Sequence, residues 1–275
     1  MTNRLNVKIE WRGGIPYVRI GDTVKPVARN LLAEGDSNTK TRKNDTITYT
    51  TKSLSLAPHK QSGIGNLCAF ASKGCSDACL FGTGKGFLES VRLARIRKTG
   101  LWYLERKWFL DRLQFEIQRA YDRASEECKK LAVRLNVFSD VAWECHGIID
   151  AFPEVAYYDY SKDPRRAGQL RPNYWVTFSR SENNELDCLD VLRKNGNVAT
   201  VYDDGYTTGA RNLHGNGPLR MPKRWRGFKT INGDETDLRF TDPSRRAIML
   251  KLKARTLNDR KDAVVSGFAT RGVAM

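Results

Sequence analysis

Five times along the chain a short apolar run ends in acidic or hydroxyl residues. The segments are 133–140 (VRLNVFSD), 156–163 (AYYDYSKD), 174–182 (YWVTFSRSE), 198–204 (VATVYDD) and 228–234 (FKTINGD). Short β-rich runs of this kind are the pattern of strands buried in a parallel sheet, and α/β folds carry their chemistry where such strands end. Carboxylates repeated at strand end after strand end converge on one point in such a fold. That is the layout of an active site.

The remaining pattern fills in around these strands. Residues 5–28 read as a hairpin, with LNVKIEW and PYVRIGD joined at Gly13-Gly14. Residues 33–45 are polar and basic and read as a loop; 46–58 return to β character, with SLSLAP as the first core strand. A structured loop rich in glycine and cysteine spans 63–86. Then Val91, Ala94, Leu101, Leu104, Trp108, Leu113, Ile117 and Ala124 recur at helical spacing, with Gly100 as the expected break. Beyond residue 131, strands alternate with helical stretches at 143–151 and 182–195, the latter capped by Ser181 ahead of Glu185. The last strand is 247–254. About seven parallel strands with crossovers predict an α/β fold of the TIM-like barrel kind, complete or partial. The expected organisation is an N-terminal β addition and basic loop (1–45) followed by a catalytic domain (46–275).

Charge points to a partner. Lys and Arg number 47 against 31 Asp and Glu, a formal +16 in 275 residues, spread along the chain. A folded basic protein attracts polyanions because binding releases their condensed counterions, so nucleic acid, DNA or tRNA, is expected. No apolar run approaches the length of a membrane span, and MTNRLNVKIEW has no secretory apolar segment. The expectation is a cytoplasmic protein without membrane contact.

Two kinds of chemistry compete. Cys68, Cys75 and Cys79 lie in one loop directly after the first core strand, and clustered thiolates select zinc or an iron–sulfur cluster. Zinc would take a fourth ligand from Cys128, Cys145, Cys188, His59 or His146. Their position is similar to that of radical S-adenosylmethionine enzymes, whose three cysteines follow the first barrel strand, although the spacing departs from the usual CxxxCxxC. The plain alternative is small residues packed in a tight loop.

The second is the set of strand-end acids: Asp140, Glu144, Asp159, Asp163, Glu182, Asp203, Asp204, Asp234 and Asp237. Asp140 and Asp234 each follow an apolar strand and a small or turn-forming residue. Asp159 lies among Tyr157, Tyr158 and Tyr160, whose rings could receive a base. A carboxylate pair in a basic protein suits glycosidic chemistry at a nucleoside, one acid attacking the sugar and the other handling protons. The same acids could instead hold magnesium for phosphoryl transfer. Ser179, Arg180 and Ser181 at a strand end could grip phosphate. In 219–228 (LRMPKRWRGF), Arg220, Lys223 and Arg224 around Trp225 could track a nucleic-acid backbone while the ring stacks on a base. A surface arginine and a basic loop with one buried ring are the plain readings of these two segments.

The series SLSLAP, CAFASKGC, GTG, RIRKT, VRLNVFSDVAWE, YDYSK, TFSRSEN and INGDETDLRFTDP covers about residues 50–255 and resembles a family of tailed-bacteriophage proteins. That family is associated with a DNA-directed branch related to the tRNA-guanine transglycosylases. The resemblance implies a TIM-barrel enzyme that exchanges guanine in DNA for a 7-deazaguanine, taking a free base of the 7-cyano-7-deazaguanine type, and so protects viral DNA from host restriction. It also implies one aspartate as nucleophile at the sugar carbon and a second as base. The tRNA enzymes carry a late CxCxxC…H zinc site, whereas the cysteines here are early. Asp234 as nucleophile and Asp140 as base therefore rest on placement, with Asp159, Tyr158, Ser179, Arg180 and Asp204 lining the substrate. A radical S-adenosylmethionine-like enzyme and a non-catalytic nucleic-acid-binding protein are the alternatives.

Overall fold

The computed structural model describes residues 7–27, 30–35, 48–82, 86, 88–205 and 220–271. Most of the basic loop expected at 33–45, and Leu219 of the basic stretch, lie outside them. The strands are β1 (Val7–Arg12), β2 (Ile15–Ile20), β3 (Thr23–Pro26), β4 (Leu32–Glu34), β5 (Tyr49–Leu54), β6 (Lys130–Arg134) and β7 (Ala156–Ser161). They continue as β8 (Gly168–Arg171), β9 (Tyr174–Ser179), β10 (Val198–Asp203), β11 (Arg224–Trp225), β12 (Phe228–Asn232), β13 (Ala247–Lys251) and β14 (Thr270–Arg271). The helices are α1 (Lys73–Asp77), α2 (Glu89–Leu104), α3 (Arg106–Glu126), α4 (Glu185–Arg193) and α5 (Leu257–Val265). The class is mixed α/β with a large, mostly parallel sheet.

The chain divides into two compact units, Met1–Ala69 with Lys85–Tyr157, and Phe70–Gly84 with Tyr158–Met275. In the first, β1–β3 form an antiparallel meander. Gly13 and Gly14 make its first turn with φ of 55° and 75°, as a two-residue hairpin of this hand demands. β4 pairs antiparallel with β5, β5 parallel with β6, and β6 parallel with the start of β7. Phe109, Leu113, Ile117, Ala120 and Ala124 form the buried stripe of α3. Burying a Phe, Leu or Ile side chain contributes roughly 1.5–3 kcal/mol.

Gly100 does not break the helical region. It lies inside α2, where an added Cβ would sit 3.0 Å from Val7 Cγ1, so its role is close packing. The chain turns instead at Glu105 (φ −132°, ψ 51°), between α2 and α3. The Glu116 carboxylate accepts from the N–H groups of Leu31 and Leu32 at 2.9 and 2.8 Å, and Lys98 donates to the Leu31 carbonyl at 2.6 Å. Burial lowers the Lys98 ammonium to about 8, with Glu116 opposing the shift.

In the second unit the neighbours run β7-β9-β10-β13-β12-β11, with β8 antiparallel on β9 and β14 parallel to β10. β13 stands between β10 and β12, so the strands do not follow chain order. No closed barrel is formed among the described residues. One core joins Phe178, Val198, Tyr202, Ala247 and Met249 to Cys188, Val191 and Leu192 of α4. A smaller one joins Leu252 and Phe268 to Ala263 of α5, with Cys75 and Ala78 packed against it.

Three expected boundaries shift. The first core strand is Tyr49–Leu54, earlier than SLSLAP. The stretch 143–151 holds only a 3-10 turn at Trp143–Cys145 within a run of turns. Asn184, not Ser181, stands at the N-cap position of α4, and its Oδ1 accepts from the Ser181 N–H at 2.7 Å instead of from the helix.

Candidate functional site

The loop after β6 is organised by one buried side chain. Asn136 Oδ1 accepts from Ser139 Oγ (2.8 Å), the Val141 N–H (2.9 Å) and the indole N–H of Trp143 (3.2 Å). Its Nδ2 donates to the Val141 carbonyl at 2.9 Å. With both ends of the amide used, residues 136–143 have one arrangement, and it presents Asp140. The Asp140 N–H donates to the Leu67 carbonyl at 2.7 Å, and the Cys68 thiol donates to the Phe138 carbonyl at 3.4 Å. The loops after β5 and β6 are thereby latched to each other.

In the second unit Asp159 is 1% exposed. Its Oδ2 accepts from Tyr174 Oη at 3.0 Å, and Arg166 donates to that same hydroxyl at 3.1 Å. Tyr158, also fully buried, points its ring edge at Phe240. Both side chains belong to the interior, so the expected stacking role of Tyr158 and the substrate contact of Asp159 do not match their placement.

At the end of β9, Glu182 is held from two sides. Ser72 Oγ donates to Oε2 and the Gly74 N–H to Oε1, each at 2.7 Å. Ser72 also caps α1 by accepting from the Cys75 N–H at 3.1 Å. Burial alone would raise the Glu182 carboxyl, but these donors, its own backbone N–H and the Lys162 charge outweigh it and hold the group below its usual range. Arg180 is buried and spends its guanidinium inward, donating to the carbonyls of Gly267 (2.7 Å) and Phe268 (3.0 Å). It clamps the chain ahead of β14 and is not offered to a phosphate; Ser179 stays half-buried beside it.

The end of β10 carries two neighbouring acids among cations. Asp203 Oδ1 accepts from Arg260 Nε at 3.1 Å and more closely from its Nη2, and Arg271 lies 3.0 Å from Oδ2. Asp204 faces Lys251 at 3.5 Å. Burial opposes ionisation of Asp203, yet Arg260, the Gly205 N–H and Arg271 keep its carboxyl below the ordinary value. Asp234, after β12, differs. Its Oδ2 accepts from the Lys251 N–H at 2.9 Å, Lys253 stands 3.8 Å from Oδ1, and a quarter of the side chain remains exposed. Asp237 accepts from Tyr160 Oη at 2.9 Å. Arg260, Lys251 and Lys162 are thus as much part of this edge as the acids. Arg260, Lys251 and Lys162 were legible in the sequence only as charge.

Arg220, Lys223 and Arg224 are exposed, but Trp225 is 8% exposed and packs in the α4 core, so its ring cannot receive a base. Among the described residues no group of three His, Cys, Asp or Glu side chains comes together as ligands. The Cys68 thiol donates to the Phe138 carbonyl, and burial pushes the Cys75 thiol up despite nearby Lys162.

A family model described as Gene product 88 matches residues 29–270, nearly the whole chain. The chain belongs to this phage protein family. No curated protein and no solved structure matches it. The Gene product 88 match begins after β1–β3, so it takes in every strand-end acid described above and leaves the meander outside.

Proposed function

We propose that this Gene product 88 protein is a phage enzyme that exchanges guanine in DNA for a 7-deazaguanine base, protecting viral DNA from host restriction. The observation that carries the reading is Asp234. This strand-end carboxylate is fixed by a backbone N–H and yet reachable, with one oxygen oriented by Lys251 and a quarter of the side chain open. An oriented, accessible carboxylate is what attack at a sugar carbon requires. Asp159, Asp203 and Asp204 are buried and already engaged, which suits them to holding the strand ends in place.

In this reading an Asp234 oxygen forms a bond to C1′ of the target nucleotide as the C1′–N9 bond breaks. The guanine leaves with the bond's electron pair and takes up a proton. The incoming 7-deazaguanine loses its N9 proton to a general base, and its N9 displaces the carboxylate at C1′. Two displacements restore the starting configuration, and the backbone is never cut. The target base must leave the duplex stack first, at a cost of about a few kcal/mol that the basic surface offsets through phosphate contacts.

The test is mass spectrometry of nucleosides from DNA and tRNA of cells that express the protein and are supplied with 7-cyano-7-deazaguanine. A deazaguanine deoxynucleoside present with the native chain and absent with Asp234→Ala supports the reading. Modified tRNA would move the acceptor, and no modified nucleoside from soluble protein would sink base exchange.

A further inference from the structure

The meander β1–β3 lies outside the region that matches the family. Its two faces differ. Val7, Ile9 and Trp11 stand opposite Ile20, Val18 and Pro16, and this face packs on α2 where Val7 and Val18 approach Gly100. The other face is set by the register Lys8 with Arg19, Glu10 with Tyr17 and Arg12 with Ile15. Lys8, Arg12 and Ile15 on it are exposed. It carries three cations against one carboxylate.

These cations are held in place. Glu10 accepts from Arg12 at 2.9 Å and from Arg19 Nε at 2.8 Å, so one acid fixes two guanidinium groups. Arg12 also lies over the Tyr17 ring, 4.8 Å from its centre. Space is open around the adjoining Gly13-Gly14 turn, where an added Cβ would meet nothing within 4 Å. Pre-oriented arginines lose less freedom on meeting a phosphate than free ones, and their planar fork matches its oxygens.

We infer that this outer face is a docking surface for the DNA phosphate backbone, an accessory grip added to the family core. The choice of DNA as partner rests on the base-exchange reading; the surface itself rests on the charge, register and exposure of Lys8, Arg12 and Arg19. Contacts to phosphate carry no base information, so the grip is sequence-independent.

The experiment is fluorescence anisotropy of a short labelled DNA duplex with the full chain, repeated across a series of NaCl concentrations. A triple variant, Lys8→Ala with Arg12→Ala and Arg19→Ala, should weaken binding at least tenfold at low salt. It should also flatten the slope of log K against log[NaCl] by about 2–3, since each neutralised phosphate contributes about 0.9. Arg12→Lys with Arg19→Lys keeps the charge and should keep the native salt slope, which separates lost charge from a damaged hairpin. An unchanged affinity and slope in the triple variant, or a slope that falls in the lysine variant as well, would overturn the inference; so would a native chain that binds no duplex. A labelled tRNA that binds tighter than the duplex, with the same losses, would overturn DNA as the partner. Base exchange is judged separately by nucleoside mass spectrometry, so a triple variant that binds normally removes this surface and leaves the enzyme reading standing.

Discussion

The Trp143 indole N–H donates to Asn136 Oδ1 at 3.2 Å, and both side chains are buried. The ring is packed in turn against Trp102, 4.9 Å between centres. A polar side chain at the end of β6 therefore ties the hydrophobic core to the loop that presents Asp140.

Asn136→Ala should be costly. It leaves the Val141 N–H and the Trp143 indole N–H without their acceptor, and an orphaned buried donor costs about 1–3 kcal/mol. A loss of roughly 3 kcal/mol or more in urea unfolding is expected. A loss below about 0.5 kcal/mol, the scatter of surface changes, would mean that the loop is held by other contacts.

Ser72 serves two partners at once, Glu182 and the first turn of α1. Ser72→Ala should cost about 1 kcal/mol, the usual value of a lost N-cap. It should also raise the Glu182 carboxyl, because a donor that favours the ionised form is gone. A carbon-detected titration of Glu182 reads the second effect. An unmoved titration would show that its own backbone N–H, Gly74 and Lys162 suffice to set it.

How much of this was legible in the sequence depends on the kind of information. Period and punctuation gave the hairpin, the α3 stripe and the strand-end acids, because burial imposes alternation and helical spacing directly. Partner identity was not legible. Asp159, Asp203 and Asp234 look alike as strand-end aspartates. They differ through Tyr174, Arg260 and the Lys251 N–H, which are distant in sequence and chosen by strand order. Gly100 shows the same limit: a helix glycine reads as a break unless the Val7 methyl that needs the space is known. Trp225 reads as a stacking ring in a basic loop until its core neighbours are in view.

Acid should loosen the end of β10. Asp203 is ionised and below its ordinary value when folded, so its contribution is present above the unfolded carboxylate range and is lost as pH falls through the folded value. Arg260→Met should remove most of that dependence and destabilise the protein at neutral pH by roughly 2–3 kcal/mol, since a buried charge loses its main partner while Arg271 remains. Thermal unfolding from pH 7 down to the acid limit tests both. A variant as acid-sensitive as the native chain would show that other carboxylates govern the transition.

Asp242 should behave in the opposite sense. Its side chain is 7% exposed, its Oδ2 lies 3.3 Å from Arg239 Nη1, and burial raises its carboxyl to about 6, with Arg239 opposing and Asp237 adding to the rise. A carboxylate whose folded value lies above its unfolded one favours the folded state in its protonated form. The cost of ionising it is absent below the unfolded value near 3.8, grows as pH rises through about 6, and is constant above. Asp242→Asn keeps the shape and removes the titration. It should stabilise the protein by about 2–3 kcal/mol at pH 8, since each unit of displacement corresponds to about 1.4 kcal/mol, and by nothing at pH 4. Urea unfolding at the two pH values decides it. An equal gain at both would mean that ionisation is irrelevant, and a loss at pH 8 would mean that attraction to Arg239 outweighs the cost of burial.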